Sequence, residues 1–564
     1  MKRSPIALTL ALLFGAGMAA AAHAAPVAPV APKAAKPFLW ENATVYFLLT
    51  DRFSNGDRGN DLPYGRKADA APLRGYMGGD LKGLTAKIKS GYFDSLGVDV
   101  LWITPPVEQL HGSTDEGTGK SYGFHGYWAR DWTAVDASLG TEKDFKDFVD
   151  AAHARGIRVL LDVVMNQIGP VTEAEPAWPA DWVRLDPVCQ YKDVPTNVDC
   201  VLVKGLPDLL TGSDAAVALP EALAQKWKKE GRYEREVKEL DEFFARTGYP
   251  RAPRYHLMKW HADWVRKYGI DGFRADTVKH VQPAVWKELR KVADDARAEW
   301  AGKHPGQGDG KFFMVAEVYG YNIASGQHFD MGDGTKVNFY QNGFDGMINF
   351  GLVHDAKQDY ESLFGKYGAA LQGPLAGYSV LNYTASHDDG GPFDGARAKP
   401  FETANKLLLA PGAAQIYYGD ETARLLNIAD AQGDAKLRSF MNWDELAKNV
   451  ARKDGGAGYR IADVRAHWGK LGRFRRAHPA VGAGVHEKVA ERPYTFKRVY
   501  EKNGVSDKVV VALDVPAAAR STIKVGGAFA DGQKVKDYYS GASAVVRNGE
   551  VTLPVKGGVA LIAP

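Results

Sequence analysis

The chain predicts an α/β protein: a (β/α)8 barrel with a domain inserted after its third strand and an antiparallel β-sandwich at its C-terminus. Three observations predict it. Short apolar runs recur along the chain, separated by helical stretches. One connection, Met165 to Gly269, spans roughly a hundred residues, too long for a structureless loop inside a compact domain. After about residue 479 an alternation at period two, the mark of half-buried antiparallel strands, replaces that rhythm.

The runs come in order as Val45 to Leu49, Val98 to Ile103, Arg158 to Val164, Ile270 to Ala275, Phe312 to Glu317, Phe344 to Phe350, Ser379 to Thr384 and Ala414 to Tyr418. They are apolar almost throughout, as strands buried on both faces must be. Phe145 to Ala154 and Tyr255 to Lys267 carry helical spacing between them. Eight such strands alternating with helices close into a parallel barrel. The first part of the barrel spans 38–164, the inserted domain 165–255, the second part 256–478 and the sandwich 479–564. Within the sandwich, Tyr494 to Tyr500, Lys508 to Leu513, Thr522 to Val525 and Val551 to Pro554 alternate between Gly- and Asp-rich turns.

Residues 1–24 read as an export signal. Lys2 and Arg3 precede an Ala-rich apolar run, and Ala22-His23-Ala24 fits a small-x-small cleavage site. Residues 25–37 are an Ala/Pro-rich tether. No later run suits a membrane span, so a soluble, monomeric periplasmic or extracellular protein is expected. The formal charge of +3 on 564 residues, without a basic stripe, gives no reason to expect nucleic acid. The two cysteines, Cys189 and Cys200, are expected to bridge in an oxidising compartment. Zinc is not indicated, because further Cys or His ligands are missing nearby.

In a barrel of this kind the reactive groups stand at the C-terminal ends of the strands. There the third run ends Asp162-Val-Val-Met-Asn166-Gln167, the fourth Arg274-Ala275-Asp276, the fifth Ala316-Glu317 and the seventh Ser386-His387-Asp388. Any one of these could be a helix cap. Together they place carboxylates, an Arg and a His on one rim. Cleavage of an acetal through an oxocarbenium-like transition state needs that set: one carboxylic acid to protonate the leaving oxygen, one carboxylate to attack carbon. Arg274 lies two residues before Asp276 and so points to the same side. A neighbouring guanidinium keeps a carboxylate ionised. This makes Asp276 the nucleophile and Glu317 the acid/base.

The segments DVVMNQ, GFRADTVKH, VAEV and SHDD resemble the four short motifs of the α-amylase family, glycoside hydrolase family 13, in order and spacing. WENATVYFLLTDRFSNGD, FHGYWARDW, FDGMINF, LLLAPGAAQIYYGDE and AHPAVGAG resemble the type exported to the periplasm of Gram-negative bacteria. The resemblance implies retaining hydrolysis of α-1,4-glucosidic bonds in starch, glycogen or maltodextrin. Asp276 then matches the nucleophile, Glu317 the acid/base and Asp388 the transition-state stabiliser. Arg274 and His387 match residues around the cleaved sugar. Tyr127, in His125-Gly126-Tyr127-Trp128, matches the aromatic platform beneath it. Lys279 and His280 match residues on the leaving-group side.

The same resemblance implies a structural Ca2+ held by Asn166, Asp208 and the His280 carbonyl. A second oxygen-rich loop, with Asn55, Asp57, Asn60, Asp61, the Gly78 carbonyl and Asp80, resembles a calcium loop of cyclodextrin glucanotransferases and related amylases. Hard oxygen donors suit this cation. Gln167 departs from the pattern, standing where the family has a His that bonds the sugar's primary hydroxyl. Gln both donates and accepts, so the contact can persist. Three readings therefore stand side by side: an endo-acting α-amylase, a related glucanotransferase or cyclodextrin-, pullulan- or exo-acting enzyme, and a non-catalytic carrier-type relative. The presence of all three carboxylates speaks against the last.

Overall fold

The computed structural model describes residues 37–115, 117–308, 310–453 and 458–564. The expected export signal, residues 1–24, and nearly all of the expected tether, residues 25–37, lie outside the described residues.

Eight parallel strands close into a barrel in sequence order. They are β1 (Thr44–Leu48), β2 (Val100–Ile103), β3 (Arg158–Val163), β4 (Gly272–Ala275), β5 (Phe313–Ala316), β6 (Gly346–Asn349), β7 (Ser379–Tyr383) and β8 (Ala413–Tyr417). Each overlaps one of the eight predicted runs. Nearly every residue in them is buried, on the helix side as well as the barrel side, which explains the unbroken apolar patterns. In the β3–β4 register Arg274 lies beside Asp162. Two charged groups thus lie side by side on neighbouring barrel strands.

Helices α1 (Leu81–Lys89), α2 (Glu142–Ala154), α3 (Glu221–Lys229), α4 (Tyr233–Thr247), α5 (Pro253–Tyr268), α6 (Pro283–Lys303), α7 (Tyr360–Gln372), α8 (Pro400–Leu408) and α9 (Ile461–Ala477) follow the chain. Their starts are written locally. Thr141 and Asp144 form a reciprocal capping box on α2. Pro opens α5, α6 and α8 at a position where its missing N–H costs nothing. The long β3–β4 connection contains α3, α4, the Cys189–Cys200 disulfide and a short strand pairing of Val183–Arg184 with Asp208–Leu209. Helix α5 leads from it back to β4.

After α9 a six-stranded antiparallel sheet forms from β9 (Val485–Ala490), β10 (Tyr494–Lys502), β11 (Val505–Leu513), β12 (Lys534–Asp537), β13 (Ser543–Val545) and β14 (Ala560–Ala563). Its order is β9-β10-β11-β14-β12-β13. A second pair, Ser521–Lys524 with Glu550–Leu553, packs across it around Ile523, Val535, Val551 and Ile562. The other face of the sheet joins the barrel: Phe496, Val509, Val511 and Leu561 belong to one apolar cluster with the barrel core. Trp182, Trp227 and Phe244 of the long connection belong to that cluster too. Insert, barrel and inner sheet face therefore share one core, and only the outer half of the sandwich has its own. Among the described residues no helix is long and apolar enough to cross a membrane.

Candidate active site

Asp276 and Glu317 stand one residue beyond β4 and β5, and both still belong to the ladder. The Asp276 amide donates to Val163 O at 3.0 Å and the Glu317 amide to Ala275 O at 3.0 Å. That regularity fixes both side chains on the barrel mouth. Arg274 is the hub. Its Nη1 donates to Asp276 Oδ1 at 2.6 Å and to both Asp162 oxygens at 3.0 and 3.1 Å. Its Nη2 lies 3.2 Å from Glu317 Oε2. One buried guanidinium thus serves three buried carboxylates.

The next residue, Thr277, takes a left-handed backbone with φ of 49°. A β-branched residue pays for that conformation in strain, which persists only where its surroundings impose it. Here it turns the Thr277 N–H onto Glu317 Oε2 at 2.7 Å. Burial is the main force on Glu317, and it pushes the carboxyl well above the usual Glu range. Repulsion from Asp276 and Asp388 adds to it, and Arg274 and the Thr277 amide only partly oppose it. Glu317 is thereby favoured as the protonated partner.

Asp388 follows β7 on a short extension. Ser386 Oγ donates to its Oδ1 at 3.1 Å. Burial raises its pKa, but His387, Arg274 and Arg438 outweigh that and hold it below the ordinary range. Burial also depresses His387, to about 3. At neutral pH the imidazole is uncharged, so the charges that keep Asp388 ionised are the two arginines. Arg438 also fixes the segment, its Nε donating to His387 O at 2.8 Å.

Tyr127 is reached from a hairpin, Val107–Gln109 with Ala129–Val135, that rises from the β2–α2 connection. Its hydroxyl bonds Asp162 Oδ2 at 2.9 Å and His387 Nε2 at 2.9 Å. Its ring lies near-parallel to that of His387, centroids 5.5 Å apart. The platform is therefore tied to two strands. His125 Nδ1 accepts from the Tyr127 amide at 3.1 Å, and its ring meets Trp128 edge-on. Both are buried and brace the platform from behind.

Gln167 is buried, and its Oε1 accepts from Asn166 Nδ2 at 3.1 Å. That leaves the Gln167 NH2 group as a donor. Lys279 and His280 lie on a short turn after Asp276 and diverge. Lys279 Nζ donates to Tyr319 O at 3.1 Å, beside Glu317. The His280 ring turns away into the Cys189–Cys200 loop, where its Nδ1 meets Asn197 O at 2.9 Å.

Sequence reasoning overlooked a role for Asp162. It is 1% exposed and binds Arg274, the Tyr127 hydroxyl and the Trp102 indole, the last at 3.1 Å. The signal was present: an acidic residue inside an apolar strand, opening the DVVMNQ motif. Trp102 and Phe47, stacked at 3.8 Å, floor the site from β2 and β1. They were indistinguishable from core by sequence.

The two oxygen-rich loops also take shape. Residues 166–168 and 207–209 are zipped together: Leu209 N donates to Asn166 O at 2.7 Å and Ile168 N to Pro207 O at 3.2 Å. Asn166 Oδ1 and Asp208 Oδ1 are buried there without a hydrogen-bond partner. Arg184 Nε sits 3.1 Å from the other Asp208 oxygen. In the N-terminal loop Asn55 Oδ1 and Asn60 Oδ1 are likewise buried and unpaired. A side chain on Gly78 would come within 2.7 Å of Asp61 Oδ1, so a glycine is required at that crowded point. Asp80, by contrast, is committed to protein. It caps α1 through Gly83 N at 2.7 Å and accepts from Gly56 N at 2.9 Å and Asp57 N at 2.7 Å. Asp57 lies toward solvent, its Oδ2 2.6 Å from Lys82 Nζ.

Comparison with known proteins decides the family. The α-amylase catalytic-domain profile matches residues 47–184. The periplasmic α-amylase of Escherichia coli (strain K12) is 35% identical over 540 residues, covering 84% of this chain and 72% of that protein. The chain belongs to the α-amylase family. Its relatives include a cyclomaltodextrin glucanotransferase of Geobacillus stearothermophilus, 27% identical over 85% of this chain and 60% of its own length. The chain spans 56% of the Streptomyces lividans α-amylase, to which it is 28% identical. Among solved structures, the Geobacillus thermoleovorans α-amylase complexed with acarbose superposes with a TM-score of 0.64, covering 93% of this chain and 99% of that one. At 20% identity this likeness speaks to the fold. Within the family fold, the rim described above occupies the C-terminal face of the barrel.

Proposed function

We propose that this α-amylase family chain is a retaining endo-hydrolase of α-1,4-glucans such as starch, glycogen or maltodextrin. The observation that carries the reading is the Arg274 hub, which holds Asp276 and Glu317 together on one rim with Asp162 beneath them. Asp276, bonded to the guanidinium, attacks the anomeric carbon as the leaving oxygen takes a proton from Glu317. A covalent glycosyl-enzyme forms on Asp276. Glu317, now ionised, takes a proton from the incoming water, which cleaves the ester. Asp388 accepts hydrogen bonds from the sugar hydroxyls of the distorted ring. Tyr127 packs beneath the sugar's C–H face, and the Gln167 amide donates to its primary hydroxyl.

Ca2+ is part of this reading. Buried unpaired carbonyl and carboxylate oxygens carry a desolvation penalty that a hard cation removes. Asn166 Oδ1 and Asp208 Oδ1, with the His280 carbonyl, suit one ion; Asn55 and Asn60, with Asp61 and the Gly78 carbonyl, suit another. Bound there, calcium would supply no chemistry, only rigidity to loops on the rim. The engagement of Asp80 with amides argues against it as a ligand. Export to the periplasm or beyond, in a form free of the membrane, agrees with the disulfide and with the name of the E. coli relative.

The test is the product profile on soluble starch, pullulan and cyclodextrin. Internal cleavage of starch is expected, with D276N inactive. A profile dominated by cyclic products or by transfer would favour the glucanotransferase reading, which the Geobacillus stearothermophilus relative motivates.

A further inference from the structure

Arg52 closes the turn after β1 and is wholly buried, behind the reactive rim. Asp51 beside it is its ion-pair partner. The rest of its planar fork goes to main-chain carbonyls. Nη2 donates to Leu73 O and Nη1 to Gly75 O, each at 2.8 Å, in the connection between β1 and α1. Nε donates to Arg438 O at 2.8 Å, in the segment after β8. The guanidinium lies over the Phe124 ring, 3.8 Å from its centroid. Leu73 takes a left-handed backbone, φ 60°, which an apolar residue holds only where its surroundings impose it. A buried guanidinium is costly to desolvate. One that gathers three carbonyls and a ring from three separate connections fixes them relative to one another, because its donors are rigidly coplanar.

Two of these contacts lead on to the site. Arg438 Nε donates to His387 O at 2.8 Å, one residue before Asp388. The Asp434 carboxylate stands farther from Arg438, at 3.7 Å. Phe124 meets the His125 ring edge-on at 5.2 Å, and His125 Nδ1 accepts from the Tyr127 amide at 3.1 Å. One side chain behind the rim thus connects to both Asp388 and Tyr127, through two separate arms.

We infer that Arg52 is a positioning residue for the subsite of the cleaved sugar, holding Asp388 through Arg438 and Tyr127 through Phe124. The Arg438 arm acts on the transition state, where hydrogen bonds to the 2-hydroxyl of the distorted ring strengthen. The Phe124 arm acts on binding, because the Tyr127 ring packs on the sugar in ground state and transition state alike. This rests on the glucan-hydrolase reading and deepens it.

The experiment compares α-maltosyl fluoride with its analogue lacking the 2-hydroxyl on the fluorinated sugar. R438M should lower kcat on the parent fluoride roughly tenfold, corresponding to about 1.4 kcal/mol. On the analogue the loss should stay below about twofold, since the strengthened hydrogen bond is missing there. F124L should raise KM for both fluorides about threefold and leave kcat within about twofold, the pattern of lost uniform binding. R52K keeps the charge and loses the fork, so it should show both effects together. The R438M/F124L double variant gives an independent reading where R52K does not fold. Arms tied to one guanidinium are coupled, so its loss in kcat/KM on the parent should depart from the product of the single losses by about threefold. An equal loss of kcat on both fluorides in R438M, or none, overturns the Asp388 arm. An unchanged KM in F124L overturns the Tyr127 arm. Folded R52K that shows neither effect, or a double variant whose losses simply multiply, overturns Arg52 as the common brace. Wild-type protein that cleaves neither soluble starch nor the parent fluoride overturns the hydrolase reading, on which the brace depends.

Discussion

Two aspartates in this molecule are equally removed from water and behave oppositely. Asp162 lies under the catalytic rim, and burial raises its pKa to about 7. Asp131 lies where the hairpin meets the long β3–β4 connection. Burial pushes it up too, but Lys226 and Arg232 overcome that and bring it down to about 2. The difference is stoichiometry. Asp162 shares one guanidinium with Asp276 and Glu317. Asp131 touches two cations, Lys226 Nζ at 2.8 Å and the Arg232 guanidinium, which also reach Glu108, Glu230 and Glu236, and it accepts from the Trp227 indole at 3.1 Å. A surplus of carboxylate over cation leaves protons to trade, which is what acid/base chemistry needs. Two cations on one carboxylate lock its charge, which serves the fold.

Substitutions at the catalytic rim should break the contrast most severely. D276N should lower kcat on maltoheptaose by at least about 10⁴-fold, the scale of losing a residue that acts within a catalytic unit. Activity within a factor of ten of wild type would remove Asp276 from the mechanism. E317Q should cost about 10²–10⁴-fold on the same substrate, the usual range for a general acid. It should also erase the alkaline limb of the pH profile. Glu317 must carry its proton to act and its pKa is raised, so activity is present at lower pH and falls as pH rises through that value. An alkaline limb that survives in E317Q assigns it elsewhere.

At the balanced site the change should appear in stability. D131N removes the buried carboxylate that Lys226 and Arg232 share, leaving them only Glu108, Glu230 and Glu236, and should cost about 3–5 kcal/mol, as breaking a buried ion pair does. The sign with pH follows from the depressed pKa. The stabilisation is present above the unfolded value near 4 and is lost as pH falls toward about 2. Urea midpoints measured from pH 7 to 2 should therefore converge for wild type and D131N. Midpoints that stay apart would show that Asp131 is not ionised in the fold.

Chelation should come next in size. Where calcium exceeds its Kd a hundredfold, removal costs about 2.7 kcal/mol, and Tm should drop accordingly. An unchanged melting curve after exhaustive chelation would remove both ions from the reading. Q167A should do least, since it deletes one hydrogen bond worth about 0.5–1.5 kcal/mol. It should lower kcat/KM by a few-fold and leave Tm within a degree or two.

How much of this was legible beforehand depends on whether a signal is local. The eight barrel strands were each visible as apolar runs, because burial on both faces writes itself into consecutive residues. So were the alternating strands of the sandwich. Asp276 and Arg274 were paired by their spacing alone, and their 2.6 Å contact agrees. Sequence reasoning gave Arg274 to Asp276 only; that Asp162, 112 positions away, and Glu317 share it depends on separate strands being laid side by side. Asp80 is expected as a calcium ligand and in the fold also caps α1 and accepts from Gly56 and Asp57; loops and caps use the same residues, so the chain order alone does not separate the two roles.

The amino-acid order alone thus determined the barrel, the rim on which its polar residues gather, and the family to which they belong. Periodicity and strand-end chemistry are carried by neighbours in the chain. The tertiary structure decided how many cations each buried aspartate meets, and with it which carboxyl is pushed up and which is held down. These are sums over groups brought together from separate strands, and Coulomb energy depends on distance in space, not along the chain.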